Sequence, residues 1–295
     1  MFDALLASLA SLGADPVVLA ATSGLLGLMV GSFLNVVVHR LPVMLEREWR
    51  DECVRLAGGE APAGERFDLV VPRSRCPHCA HRIAWYENVP VVSWLALRGR
   101  CSACRGRIAL RYPLVELASG ALAAACALRF GWDPRLVGAL AVSWTLLALA
   151  LIDYDHQLLP DDLTLPLLWL GLVASLWQVT VGPREAIVGA AVGYLALWVV
   201  FHGFKALTGK EGFGYGDFKL LAALGAWCGP GAVLPVVLLA SLAGAVVGGA
   251  LIASGRASFG SRIAFGVYLC PAGWLYFMWG DDAVAAYLAF AQRAA

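Results

Sequence analysis

The chain has 295 residues, of which 60% are hydrophobic and only 15% charged, with a mean hydropathy of +0.73 and a formal net charge of +1. A soluble domain carries about 25% charged residues, whereas several charge-free runs here reach roughly 17 to 25 residues, enough to cross a bilayer. The composition excludes an ordinary soluble enzyme and predicts an all-α polytopic membrane protein. The near-zero net charge gives no reason to expect a nucleic-acid partner.

The first basic side chains, His39 and Arg40, follow the first apolar run. A cleavable signal peptide needs a basic region before it, so this run is expected to remain as a helix. It reads about Val17 to Val38, and a charged segment then extends from His39 to Arg111. Further spans are predicted near Pro113–Leu128, Leu136–Ile152, Leu163–Val181, Ala186–Phe204, Phe218–Cys228, Ala232–Ala253 and Ile263–Trp279, making about eight transmembrane helices. Gly131-Trp132-Asp133-Pro134 and Gly182-Pro183-Arg184 read as short turns. Phe218–Cys228 is too short to cross, so its helix either starts earlier, inside Gly214–Asp217, or is broken. Gly189-xxx-Gly193 and Gly244-xxx-Gly248 permit close helix contact. No convincing internal repeat is expected.

The segment 40–111 carries 13 of the 22 Lys and Arg residues. Loops rich in these residues stay in the cytoplasm, which puts the large loop on that side. Alternation brings 153–162, 205–217 and 254–262 to the same face, in agreement with Lys205, Lys210, Arg256 and Arg262. The opposite face receives Arg129, Arg135, Arg184 and Arg293 with Asp133, Asp281 and Asp282. The expected division is 1–39, first transmembrane helix; 40–112, a small cytoplasmic metal-binding domain; 113–280, the membrane domain; and 281–295, a tail.

Inside the loop, Cys76-Pro77-His78-Cys79 and Cys101-Ser102-Ala103-Cys104 form two CxxC knuckles. Two knuckles supply four thiolates, the set that Zn2+ takes in a tetrahedron. A reducing compartment argues against disulfides. A closed four-thiolate site has no open position, so the expected role is structural. His78 and His81 are then loop histidines, and Cys53, Cys126, Cys228 and Cys270 packing or surface residues. Trp85, Tyr86 and Trp94 either cover the metal-centred core or form a ligand surface; the core reading is preferred, since so small a domain needs a staple.

Two aspartates stand at the edges of apolar runs: Asp153 in Leu151-Ile152-Asp153-Tyr154-Asp155-His156 and Asp217 in Gly214-Tyr215-Gly216-Asp217-Phe218-Lys219. Carboxylates near lipid are costly and mark function, and two brought together can share one proton and titrate as a unit. Such a pair can activate water and polarise a carbonyl without metal or covalent intermediate. Gly214 and Gly216 are expected to allow backbone conformations that a side chain would obstruct. Asp161 or Asp162 is expected to cap the following helix, Asp155 and His156 to be solvated, Lys219 to meet lipid phosphate or support the acid, and Glu116 to pair with Arg111 or Lys219.

Gly31-Ser32-Phe33-Leu34-Asn35-Val36-Val37-Val38-His39-Arg40-Leu41-Pro42, the two knuckles, the Asp153 segment ending Leu159-Pro160-Asp161, and the Gly214–Lys219 segment together resemble the type IV prepilin leader peptidase/N-methyltransferase family. The similarity runs from about residue 20 to 280. It implies a multi-pass enzyme of the bacterial inner membrane whose peptidase is an aspartic protease of the GxGD type. Asp153 and Asp217 match its catalytic pair, and Cys76, Cys79, Cys101 and Cys104 match its zinc site. The implied substrates are prepilins and pseudopilins of type IV pili or type II secretion, cut after a short basic leader at the cytoplasmic face. The implied second activity methylates the new terminal amine with S-adenosylmethionine and is associated with residues 40–112. No dinucleotide-type glycine fingerprint follows a predicted strand; Gly31, Asn35, Arg40 and Pro42 either shape the methyl-transfer site or form a helix end. The competing readings are a peptidase without methyl transfer, an ion-coupled transporter using the two acids as relays, and a non-catalytic assembly factor binding through the metal module.

Overall fold

A computed structural model describes residues 15–60, 64–209, 214–256, 258 and 264–294. Lys210 and Arg262, invoked above for orientation, lie outside the described residues. No strand occurs among the described residues; two single-residue bridges, Arg75 with Arg82 and Arg100 with Arg107, are their extended pairings. The chain forms two compact units that divide between Trp132 and Asp133.

In the N-terminal unit, α1 (Pro16–Leu56) starts where Asp15 accepts the N–H groups of Val17 and Val18, with Pro16 at the first helical position. It does not stop at Val38 but continues through Pro42 to Leu56. Residues 43–56 are mainly Leu, Met, Glu and Arg, all strong helix formers, so charge takes over from apolarity without a break in the helix. Helix α3 (Arg111–Phe130) lies along α1. The approach depends on small residues: a Cβ on Gly27 would stand 2.8 Å from the Gly120 Cα, and one on Gly31 2.7 Å from the Glu116 Cα. Ser119 Oγ donates to the Gly27 carbonyl at 2.6 Å across the same seam. Between the two helices, a 3-10 turn (Trp85–Asn88) and the short α2 (Val92–Ala96) are the regular pieces of the loop.

In the C-terminal unit, α4 (Pro134–His156) is capped by Asp133, which accepts from the Arg135 N–H at 2.8 Å. It is followed by α5 (Asp161–Ser175), α6 (Pro183–Thr208), α7 (Tyr215–Cys228), a 3-10 turn (Pro230–Ala232), α8 (Val233–Ala253) and α9 (Gly266–Ala294). Helix α7 is the core, buried from Asp217 to Trp227 except Lys219. Gly189 on α6 meets Gly225 on α7 backbone to backbone, and a Cβ on Gly193 would sit 2.5 Å from the Leu221 carbonyl oxygen. On another side, Trp227 fills notches left by Gly138 of α4 and Gly171 of α5 and donates from Nε1 to the Leu167 carbonyl at 2.9 Å. Trp274 of α9 donates to Ser143 Oγ of α4 at 2.8 Å. Gly244 of α8 makes ordinary contact with Tyr268 of α9.

Five helical segments are long and apolar enough to cross a membrane: Pro16–Leu56, Arg111–Phe130, Pro134–His156, Pro183–Thr208 and Pro230–Ala253. At 15 and 14 residues, α5 and α7 are shorter than that set. Helix α7 starts at Tyr215, inside the Gly214–Asp217 stretch, and at 1.5 Å per residue its length is about 21 Å against about 30 Å of hydrocarbon. Residues 281–294, expected as a tail, continue α9.

Candidate active site and metal centre

The metal module is built from two copies of one knuckle. Arg75-Cys76-x-x-Cys79-x-x-Arg82-Ile83-Ala84 recurs 25 residues later as Arg100-Cys101-x-x-Cys104-x-x-Arg107-Ile108-Ala109. The hydrogen bonds recur with it. Cys76 N donates to the His81 carbonyl and Cys101 N to that of Gly106, both at 2.9 Å. Ala80 N donates back to Cys76 O and Arg105 N to Cys101 O, and both donors sit at positive φ, 57° and 60°. The repeat corrects the sequence-based expectation: six of the ten positions are identical between the copies, and the two turns share their hydrogen bonds.

The knuckles bring Cys76, Cys79, Cys101 and Cys104 together, with all four sulfurs within 4.8 Å of one another. Cys76 and Cys104 Sγ are 3.8 Å apart. A tetrahedron with metal–sulfur bonds of about 2.3 Å has edges of about 3.8 Å, so the donor set fits a thiophilic dication. The N–H groups of His78 and Cys79 pull the Cys76 thiol down to about 7, and those of Cys104 and Ala103 lower that of Cys101. Cys79 goes the other way, to about 11: the His81 N–H favours its thiolate, but desolvation and the neighbouring sulfurs of Cys104, Cys76 and Cys101 outweigh it. Four thiolates this close repel one another, a cost that a bound dication removes.

His81 is not among the four-sulfur set. Its Nε2 lies 3.3 Å from Glu87 Oε2 and 3.4 Å from Ser102 Oγ, linking the two knuckles. Trp94 does cover the module: its Nε1 donates to the Ile108 carbonyl, and its ring lies over Gly99, which takes φ +65° where a Cβ would be 2.7 Å from the indole. Trp85 and Tyr86 do not; they are 83% and 62% exposed. A concavity of about 350 Å³ lies beside them, lined by Tyr86, Glu87, Val89, Val92, Ser93 and Leu97 among others.

Two polar side chains tie this module to α1 and α3, and a third ties those helices to each other. Arg40, buried, donates to the carbonyls of Asp68 and Pro72 at 2.9 and 2.6 Å. Asn35 donates to the Tyr112 carbonyl. Glu116, also buried, accepts the Val91 N–H at 2.7 Å, while Lys219, one of the partners expected for it, is taken by Asp161. Val91 is held at φ 60°, a strained position for a β-branched residue, and Glu116 anchors it.

In the C-terminal unit, Asp153 on the last turn of α4 and Asp217 on the first turn of α7 are 5% and 6% exposed. They lie 64 residues apart in sequence yet within electrostatic reach of each other in the fold. Asp153 Oδ2 accepts the Val267 N–H at 3.0 Å from the start of α9. Asp217 Oδ2 accepts the Gly214 N–H at 3.1 Å, a capping bond, while its Oδ1 is buried with no hydrogen-bond partner. An orphaned carboxylate oxygen costs roughly 1 to 3 kcal/mol, and this one is able to accept a further hydrogen bond. Aromatic contacts fix the turn that presents it: Tyr215, Phe218 and Phe201 stand 5.3 to 5.6 Å apart by ring centroid.

The glycines of this segment work differently from expectation. Gly214 has φ −88°, open to any residue. Gly216 is needed for space, since a Cβ there would lie 2.7 Å from Leu159 Cβ. Gly266 is a site residue that sequence reasoning missed: a Cβ on it would stand 2.8 Å from Asp153 Oδ2. A lone glycine after a loop gave no signal for it. Asp161 does not cap α5, whose N-cap is Pro160; it takes Lys219 Nζ at 2.7 and 2.6 Å. Lys219 therefore bridges α7 to α5. Asp155 and His156 are exposed, as expected.

Two family models cover most of the chain: the bacterial peptidase A24 N-terminal domain over residues 25–130 and the type IV leader peptidase family over 139–249. Proteins named prepilin leader peptidase/N-methyltransferase are 52% identical in Stutzerimonas stutzeri, over 95% of this chain and 98% of that one, and 51% identical in Pseudomonas aeruginosa, over 95% and 97%. The chain belongs to the prepilin leader peptidase/N-methyltransferase family. A further relative of that name in Aeromonas hydrophila is 51% identical over 90% of this chain and 92% of its own. No solved structure matches the chain. The boundary between the two family models coincides with the division into two units, so the four-cysteine cluster falls in the first model and both buried aspartates in one unit of the second.

Proposed function

We propose that this chain removes the leader peptide from prepilins and pseudopilins and methylates the amine so exposed. The observation that carries the peptidase reading is the pair of buried aspartates on α4 and α7, with Asp217 Oδ1 unpartnered. In this reading one carboxylate is ionised and takes a proton from water as it attacks the scissile carbonyl. The other, protonated, hydrogen-bonds the carbonyl oxygen and then helps protonate the leaving amine. The Val267 and Gly214 N–H groups orient the two acids, each by one oxygen, and leave the other oxygens for water and substrate.

The zinc reading rests on the fit of the four sulfurs to a tetrahedral ion, in a structural role. Methyl transfer is assigned to the N-terminal unit, chiefly the 40–112 segment. S-adenosylmethionine supplies an electrophilic methyl group. The concavity lined by Tyr86 fits its nucleoside in size and lining: pockets of roughly 300 to 1,000 Å³ with apolar walls hold such ligands. Val89, Val92 and Leu97 offer the apolar wall, and Glu87, already engaged by Ala84, His81 and Ser102, puts a carboxylate on its rim. In this reading the protein lies in the inner membrane with the metal module on the cytoplasmic side, which the arginine asymmetry supports; the five long apolar helices support a multi-pass protein, and eight crossings require α5, α7 and α9 to cross as well.

The test is incubation of membranes carrying this chain with a prepilin and isotopically labelled S-adenosylmethionine, read by intact-mass spectrometry. The expected product has lost its leader and gained one labelled methyl on the new N-terminus. Cleavage without methyl gain refutes the second activity, and an unprocessed substrate refutes both. Val92→Trp is expected to weaken binding of labelled donor in equilibrium dialysis while cleavage continues.

A further inference from the structure

The two knuckles carry a feature that their metal does not explain. Each bridge sets an arginine opposite an arginine: Arg75 faces Arg82, and Arg100 faces Arg107. Residues paired across an antiparallel bridge send their side chains from the same face, with Cβ atoms about 5 Å apart, and like charges so placed repel. All four are exposed, and none has an ion-pair partner among the described residues. The segment from 73 to 107 holds seven arginines and a single acid, Glu87, which is engaged with Ala84, His81 and Ser102. The same unfavourable pairing made twice, at equivalent positions of a repeated turn, is accounted for by an anion that each pair brackets. Guanidinium forks suit phosphate oxygens.

The surroundings select the source of that phosphate. Each repeat ends in Ile-Ala and is followed by exposed apolar side chains, Trp85 and Tyr86 after the first and Leu110, 56% exposed, after the second. The second knuckle then runs within four residues into α3, one of the long apolar helices. Arginine next to exposed aromatic and aliphatic groups, beside a span, is the composition of a membrane-interface anchor.

We infer that the paired arginines of the two knuckles bind phosphates of anionic phospholipid headgroups and hold the metal module against the bilayer surface. This goes beyond the proposed catalytic activities and depends on neither. The test is lipid binding to the full-length, metal-loaded protein by native mass spectrometry, titrated with phosphatidylglycerol or phosphatidylcholine of the same acyl chains. The wild type is expected to prefer phosphatidylglycerol. Arg82→Gln with Arg107→Gln is expected to weaken phosphatidylglycerol binding about 25-fold, from two cations each worth about 1 kcal/mol near an anionic surface, and to leave phosphatidylcholine binding unchanged. Arg75→Gln with Arg100→Gln is expected to do the same, so either pair decides the matter if the other loses its metal. Absence of a phosphatidylglycerol preference in the wild type overturns the inference. So does full preference in a metal-loaded double variant. Displacement of phosphatidylglycerol by millimolar inorganic phosphate overturns the lipid assignment in favour of a free-phosphate site.

Discussion

The two candidate sites are held by different forces. Among residues 64–110 the buried positions are Cys76, Ser93, Gly99 and Cys101, with no large apolar side chain among them. In the C-terminal unit, Phe218, Leu220, Leu221 and Leu224 are buried at 0 to 1% exposure around the acid-bearing turn. The metal module has turns, a few hydrogen bonds and four sulfurs; the aspartate site has a close-packed helical core. A region with so little apolar burial would depend on an ion held by its four sulfurs, whereas one built on backbone-to-backbone helix contact depends on the absence of side chains at a few glycines.

Metal removal probes this contrast most strongly. Structural zinc contributes about 10 to 16 kcal/mol in small modules, so chelation, or Cys76→Ser with Cys101→Ser, is expected to abolish hydrogen-exchange protection across 74–108 and leave α4–α9 protected. Loss of protection in both regions would end the distinction. The reciprocal change is Gly225→Leu, which forces α7 off Gly189 of α6. Displacing reacting groups by about 1 Å costs about a hundredfold in rate, so cleavage should fall at least that far while the four-thiol site still binds Co2+ with its thiolate absorption. Gly266→Ala is a milder version. Its Cβ would stand 2.8 Å from Asp153 Oδ2, and a roughly tenfold loss of cleavage is expected from partial displacement.

Smaller effects sharpen the comparison. The Lys219–Asp161 pair is 30% and 52% exposed by side chain, and such pairs contribute about 0 to 1 kcal/mol. Lys219→Met should therefore lower the thermal midpoint only slightly and slow cleavage less than fivefold. The smallest effect concerns Asp68, whose carboxylate accepts the N–H groups of Val71 and Val70 and pairs with Arg66, holding it at about 2. A lowered folded-state value means this loop gains stability above the ordinary carboxylate range and loses it as pH falls through about 2. Val70 and Val71 amides should lose protection over that fall, relative to Asp68→Asn, which lacks the dependence.

What the sequence revealed follows the range of each interaction. Cys76 and Cys79, or Cys101 and Cys104, lie on one turn, so their spacing announces the donor set. Asp153 and Asp217 stood out one at a time because a carboxylate beside an apolar run is costly, but their approach needed α4 and α7 in place. Val267 and Gly266, which hold Asp153, come from more than 110 residues away and carry no distinctive chemistry. The continuation of α1 past Val38 was hidden because hydropathy ends there while helix propensity does not. The seam of α1 and α3 was written in Gly24, Gly27 and Gly31, yet glycine in an apolar helix names no partner. The knuckle repeat was legible in the sequence but too short to stand out, whereas the facing of its arginines came from the bridges, since pairing across a turn is a property of backbone geometry.

The measurement that bears most directly on this account is cleavage of a prepilin by membranes carrying wild type, Asp153→Asn or Asp217→Asn at matched protein levels, with methylation of precleaved substrate read in parallel. General acid–base groups contribute about 10² to 10⁴ in rate each, so each variant is predicted to lose cleavage by at least a hundredfold while methylation persists. Normal cleavage by both variants would contradict the two-aspartate site.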